Sequence, residues 1–152
     1  MRIHEVMSTG VVTGAPTDTV RDVVVKLLSR HCGAIPIVNA NQELLGIVTL
    51  RDVMRRCTPT MAITFTTPTQ PRLSGIGAEL SRGTGGKAEE IMVRNPLTGS
   101  PETPILEAAS YMGLKNFRRL PVADHGTLVG MVSIGDIHRG LLFSRGGCEV
   151  DA

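Results

Sequence analysis

Gly46-Ile47-Val48-Thr49-Leu50-Arg51-Asp52 and Gly130-Met131-Val132-Ser133-Ile134-Gly135-Asp136 are two copies of one pattern, and reading them as copies decides the fold. Each reads as a short apolar strand, a hydroxyl residue, and a carboxylate three positions on, where a helix is expected to begin. A helix start presents unpaired backbone N–H groups and the positive end of the helix dipole, which suits an anion. An aspartate there can act as the N-cap of the helix. It can equally accept hydrogen bonds from the hydroxyls of a sugar. One such stretch would not separate these roles; the repeat around it gives more to work with.

Working outward, a shift of 85 residues lays Glu5-Val6-Met7 on Glu90-Ile91-Met92 and Val12-Thr13 on Leu97-Thr98. The same shift lays Pro16 on Pro101 and Ile35-Pro36-Ile37 on Leu120-Pro121-Val122. Past a turn one residue shorter in the second copy, a shift of 84 lays Gly46 on Gly130 and Asp52 on Asp136. Turns tolerate such length changes, so the chain is an internal duplication.

Each copy opens with a short segment around Met7 or Met92, then a small strand expected at Val11 to Thr13 or Leu97 to Gly99. An amphipathic helix follows. Val20, Val23, Val24, Leu27 and Leu28 mark its buried face in copy one, with Asp18 as a plausible N-cap. In copy two Thr103 is expected to cap, Pro104 to take the first helical position, and Ile105, Ala108, Ala109 and Met112 to be buried. A hairpin comes next: Ile35 to Val38 with Leu44 to Thr49, and Leu120 to Ala123 with Leu128 to Ser133. A last helix is expected from Asp52 to about Cys57, and from Asp136 to about Phe143. The order is β-α-β-β-α, twice. The expected division is repeat one over 1–57, a Thr/Pro/Gly-rich linker or flap over 58–87, repeat two over 88–143, and a tail over 144–152. Within the linker Ala62 to Thr66 alternates like a strand and Ile76 to Leu80 suits a turn of helix.

Composition narrows the function. The chain has 152 residues, no Trp, one Tyr and three Phe, so its core must be aliphatic. Stacking of bases on aromatic side chains is hardly available, and a net charge of +2 is too small to argue for nucleic acid. Cys32, Cys57 and Cys148 form neither a disulfide framework nor a zinc pattern, which fits a reducing cytosol. The opening residues lack the apolar run of a signal peptide, and no stretch approaches a membrane span. Cytoplasmic localisation is the expectation.

No catalytic constellation stands out. Arg82 to Lys87 fails the phosphate-loop pattern, because Ser81 stands where its first glycine should be and Ala88 follows the lysine. The four histidines show no metal-ligand spacing, and His31-Cys32 are neighbours that point apart. Asp18, Asp22, Glu89 and Glu90 read as helix-start and solvated-face charges. Neither an enzyme activity nor a metal site is expected.

Taken together these residues resemble a tandem pair of CBS domains, the Bateman module. The resemblance rests on the Val-Met and Ile-Met openings, the Val12-Thr13-x-x-Pro16 and Leu97-Thr98-x-x-Pro101 steps, the Ile-Pro-Ile-Val and Leu-Pro-Val-Ala strands, and the two Gly-x-Val-(Thr/Ser)-x-x-Asp endings. It covers about residues 3–57 and 88–143. It implies an α/β fold of α+β type, in which two pseudo-symmetric β-α-β-β-α repeats pack through their sheets and leave two clefts for adenine nucleotides or related adenosyl compounds. Carried over by position, cleft one would use Thr49 and Asp52 with Leu97, Thr98, Arg118 and Arg119. There the aspartate would hold ribose hydroxyls and the arginines phosphate. Cleft two would use Ser133 and Asp136 with Val12, Thr13, Gly33 and Ala34. It departs from the phosphate-binding pattern, since Gly33 and Ala34 replace the basic pair; cleft one is the preferred site.

The resemblance therefore implies a stand-alone regulatory, energy-sensing module. AMP, ADP, ATP or S-adenosylmethionine would be its regulatory ligand, with no catalytic cofactor. A homodimer and an unidentified regulated protein would be its partners. The rival is a structural dimerisation or partner-binding module with empty clefts. An enzyme would need a partner protein, because the chain has no room for a catalytic domain.

Overall fold

The computed structural model describes residues 1–56 and 85–144. After a 3₁₀ turn at Ile3–Glu5, repeat one forms helix α1 (Val20–Ser29), strand β1 (Ala34–Val38), strand β2 (Leu44–Thr49) and helix α2 over residues 50–56. Repeat two opens with the short helix α3 (Ala88–Ile91) and strand β3 (Val93–Arg94). It continues with α4 (Ile105–Lys115), β4 (Arg119–Asp124), β5 (Thr127–Ser133) and α5 (Ile134–Ser144). The mixed α/β content matches the expectation.

The repeats in sequence and the compact units in space divide the chain differently. One unit, here the α1 unit, holds described residues 12–40, 45–56 and 85–95; the other, the α4 unit, holds 1–11, 41–44 and 96–144. The opening of each repeat thus belongs to the unit built on the other repeat's helices and hairpin. In the α1 unit, β3 extends the hairpin to a three-stranded sheet of order β1-β2-β3, pairing Ile47 with Val93 and Gly46 with Arg94. In the α4 unit, Ser8 bridges to Met131 beside the β4-β5 hairpin.

The docking hydrogen bonds repeat with the 85-residue shift. Ala88 N–H donates to Asp18 C=O at 2.7 Å, Glu89 N–H to Pro16 C=O at 3.2 Å, and Val20 N–H to Gly86 C=O at 3.0 Å. In the α4 unit Ile3 N–H donates to Thr103 C=O at 2.9 Å, His4 N–H to Pro101 C=O at 3.1 Å, and Ile105 N–H to Met1 C=O at 3.2 Å. The short openings satisfy their own backbone on the turn that precedes the partner repeat's helix.

Each unit has its own aliphatic core. In the α1 unit Val20, Val23 and Leu27 of α1 meet Ile35 and Ile37 of β1, Val48 of β2, and Val53, Ala88 and Met92. In the α4 unit Ile3, Ala108, Met112, Leu120, Val122, Val132 and Ile137 do the same. The β4-β5 turn places His125 and Gly126 both at positive φ (48° and 84°), the combination that matches the right-handed twist of a two-residue hairpin.

Several local expectations are corrected. The expected strands at Val11 to Thr13 and Leu97 to Gly99 reduce to single-residue parallel bridges, Gly14 with Ile37 and Gly99 with Val122. Thr19, not Asp18, caps α1: its hydroxyl accepts from Asp22 N–H at 3.1 Å, and Asp22 accepts back from Thr19 N–H at 3.4 Å. Asp18 instead accepts from Ala15 N–H at 2.9 Å and pairs with Lys26 at 3.4 Å. Pro104 sits at the cap position of α4, while Thr103 Oγ1 closes the preceding turn from Ser100 N–H at 3.0 Å. Leu28 is 60% exposed rather than buried. The strand and helix expected within 58–84, the flap, most of the Arg82 to Lys87 stretch, and the tail beyond Ser144 lie outside the described residues.

Candidate functional site

The two Gly-x-Val-(Thr/Ser)-x-x-Asp endings are built alike. The last helix of each repeat starts two residues before the aspartate, so the hydroxyl residue is the cap and the aspartate stands at the third helical position. Asp52 Oδ2 accepts from Thr49 N–H at 2.8 Å and from Thr49 Oγ1 at 2.9 Å; Thr49 Oγ1 accepts from Asp52 N–H at 3.3 Å. Asp136 Oδ2 accepts from Ser133 N–H at 2.8 Å and from Ser133 Oγ at 2.7 Å, and Ser133 Oγ accepts from Asp136 N–H at 3.1 Å. These are reciprocal capping boxes with the usual glutamate shortened to aspartate. They correct the expectation that Asp52 or Asp136 is itself the N-cap.

The boxes use one carboxylate oxygen and leave the other to distinguish the two endings. Asp136 Oδ1 accepts from the Arg139 guanidinium at 3.1 Å. Among the described residues Asp52 Oδ1 has no hydrogen-bond partner. Asp52 also lines an open groove of about 450 Å³ with Arg55, Arg56, Glu90, Ile91 and Val93, and Arg56 approaches Glu90 at 3.9 Å. Arg55 and Arg56 were missed by the sequence reading. Their signal was present, since positions three and four beyond a helical aspartate share its side of the helix.

The remaining candidates fall by unit. Thr49, Asp52, Val12, Thr13, Gly33 and Ala34 lie in the α1 unit. Val12 packs against its core, Thr13 C=O accepts from Lys26 Nζ at 3.0 Å, Gly33 is exposed and Ala34 is buried as the first residue of β1. Leu97, Thr98, Arg118, Arg119, Ser133 and Asp136 lie in the α4 unit. Leu97 and Thr98 are exposed just ahead of the Gly99 bridge. Arg119 stands opposite Ser133 in the hairpin register, and Arg118 C=O accepts from Ile134 N–H at 3.0 Å. Both arginines are exposed.

Comparison with known proteins agrees with this architecture. The CBS domain family model matches residues 3–58 and 88–142. The chain is 27% identical over 137 residues to the CBS domain-containing protein YhcV of Bacillus subtilis, covering 89% of this chain and 81% of that one. The crystal structure of CBSX2 in complex with AMP superposes with a TM-score of 0.75 at 22% identity, covering 95% of this chain and 98% of that one. The CBS domain pair of protein MJ0100, in complex with 5′-methylthioadenosine and S-adenosyl-L-methionine, gives a TM-score of 0.69 at 23% identity over 95% and 98% of the two chains. No helix among the described residues is long and apolar enough to cross a membrane.

Proposed function

We propose, from the premise that this chain belongs to the CBS domain family as a tandem pair, that it is a non-catalytic cytoplasmic regulatory module whose ligand is an adenine nucleotide or another adenosyl compound. The observation that carries the reading is the Asp52 carboxylate. It is fixed by Thr49 through Oδ2, while Oδ1 has no partner among the described residues and is available to the hydroxyls of a ribose. AMP in one structural neighbour, and S-adenosylmethionine with methylthioadenosine in another, support the ligand class.

The residue assignment follows the resemblance: Thr49 and Asp52 acting with Leu97, Thr98, Arg118 and Arg119 as the principal set. Ser133 and Asp136 with Val12 and Thr13 form the weaker one. Asp136 is the poorer acceptor because Arg139 already occupies Oδ1. A bound ligand would favour one arrangement of the protein over others, and that shift in population is the signal a regulated partner reads. Assembly as a homodimer belongs to the same reading.

Thermal unfolding with AMP, ADP, ATP and S-adenosylmethionine tests it. A ligand present at 100 times its Kd adds about 2.7 kcal/mol to stability, a shift of several degrees. No shift with any of the four would favour the rival, in which the two capping boxes are structural and the module works only through protein contacts.

A further inference from the structure

The groove beside Asp52 holds more charge than the aspartate itself. Among the described residues its lining sets two arginines, Arg55 and Arg56, against two carboxylates, Asp52 and Glu90, with Ile91 and Val93 as the apolar part. All six belong to the α1 unit. Its volume of about 450 Å³ lies in the range of small-molecule sites.

The four charges are not equally committed. Asp52 is held by Thr49 through Oδ2. Glu90 Oε2 accepts from Lys87 N–H at 2.9 Å and stands 3.9 Å from the Arg56 guanidinium. The backbone closes on this pair: a methyl group on Gly86 would strike the Glu90 carboxylate and lie 3.1 Å from Arg56. Arg56 is thereby shared with an internal anion. Arg55 has no ion pair among the described residues. Its equivalent under the 84-residue shift, Arg139, turns back to Asp136 Oδ1 at 3.1 Å, and the equivalent of Arg56 is Gly140. Of the two endings, the first is the one that presents an unpaired guanidinium beside its aspartate.

Reach follows from the helix. Asp52 and Arg55 lie three residues apart on one side of α2, about 4.5 Å along its axis. A ribose held at Asp52 Oδ1 by its 2′ and 3′ hydroxyls carries its 5′-phosphate one sugar ring away, within the span of an arginine side chain. The planar guanidinium then donates two parallel hydrogen bonds to phosphate oxygens. A second and third phosphate would bring more negative charge into a groove whose remaining cation is shared with Glu90. Like charges brought that close disfavour binding.

We infer that Arg55 grips the phosphate next to the ribose and that Glu90 limits the number of phosphates. The groove thus selects a nucleoside monophosphate over a triphosphate and over a phosphate-free adenosyl compound. The inference rests on the nucleotide reading of Asp52 and adds which member of that class is taken. It needs no group from the α4 unit.

Calorimetric titrations of the full chain without divalent cations test it, with adenosine, AMP and ATP as the probes. AMP is expected to bind about tenfold more tightly than either adenosine or ATP. Arg55→Gln should bring AMP down to within about threefold of adenosine, with adenosine affinity and the melting temperature unchanged. Glu90→Gln keeps an acceptor for Lys87 N–H and should raise ATP affinity about fivefold more than AMP affinity. ATP binding as tightly as AMP in the parent chain overturns the inference while leaving the nucleotide reading in place. AMP unaffected by Arg55→Gln, or ATP unmoved by Glu90→Gln, does the same. Silence from all three probes overturns the inference together with the nucleotide reading.

Discussion

A methyl group on Gly46 would lie 2.7 Å from Met92 Sδ and 2.8 Å from the carbonyl oxygen of Val93. At the equivalent place Gly130 would meet Met7 Sδ at 2.7 Å and Ser8 C=O at 2.9 Å. The glycine that begins each ending and the methionine that opens the other repeat are thus two halves of one contact. Glycine is needed because a neighbouring backbone lies against its α-carbon. Gly46→Ala is expected to destabilise by about 1–3 kcal/mol, because the flexible Met92 can move but the Val93 carbonyl is held in the sheet. Denaturant unfolding of Gly46→Ala and Gly130→Ala measures this; a loss below about 0.5 kcal/mol in both would contradict the packing.

The capping boxes set a second expectation. Thr49→Ala removes the acceptor of Asp52 N–H and one donor to its carboxylate, and should lower stability by about 1–2 kcal/mol. Thr49→Ser keeps the hydroxyl and should cost much less. Equal melting temperatures for the alanine and serine variants would show that the box contributes nothing.

His31 holds a φ of 52° just past the end of α1, where the left-handed conformation strains any side chain with a Cβ. His31→Gly is expected to raise stability by about 0.5–1 kcal/mol. The equivalent Asn116, with a φ of 56°, tolerates the region better and should gain less on the same change. Paired thermal melts of the two variants provide the comparison.

The N-terminal turn carries a pH dependence. The Glu5 carboxylate is held below its ordinary value of 4.5, first by a hydrogen bond from Arg2 N–H, against an opposing desolvation, and then by the N-terminal ammonium, His4 and Arg2. A depressed folded-state pKa stabilises above the unfolded value. The contribution is therefore complete above about pH 4.5 and is lost as pH falls through the lower folded value. An NMR titration of the Glu5 side chain should give a midpoint below 4.5, and Glu5→Gln should flatten the acid limb of amide protection at the first turn.

The duplication, the helix-hairpin-helix order of each repeat and both endings were legible in the sequence, because hydrophobic periodicity and a fixed shift report them directly; the opening strands were not. The exchange of opening segments was not. Val6-Met7 and Ile91-Met92 look like ordinary leads into their own repeats, and only the fit of each methionine onto the other repeat's glycine shows where they belong. Cap assignment failed at α1 for a local reason: Asp18 and Thr19 are both good caps, and the choice falls to Thr19 because Asp22 completes its box while Asp18 turns to Lys26. Leu28 matched the helical period yet faces solvent, since period alone does not say how wide the buried stripe is. At the two endings, the aspartates stand out in the sequence but the difference between them does not, because it lies in the second carboxylate oxygen and in Arg139.

Calorimetric titration of AMP into the wild-type chain, Asp52→Ala and Asp136→Ala tests the central claim most directly. Saturable binding abolished by Asp52→Ala and kept within a few-fold by Asp136→Ala is the expected result. Binding that survives Asp52→Ala unchanged, or that depends on Asp136 alone, would contradict it.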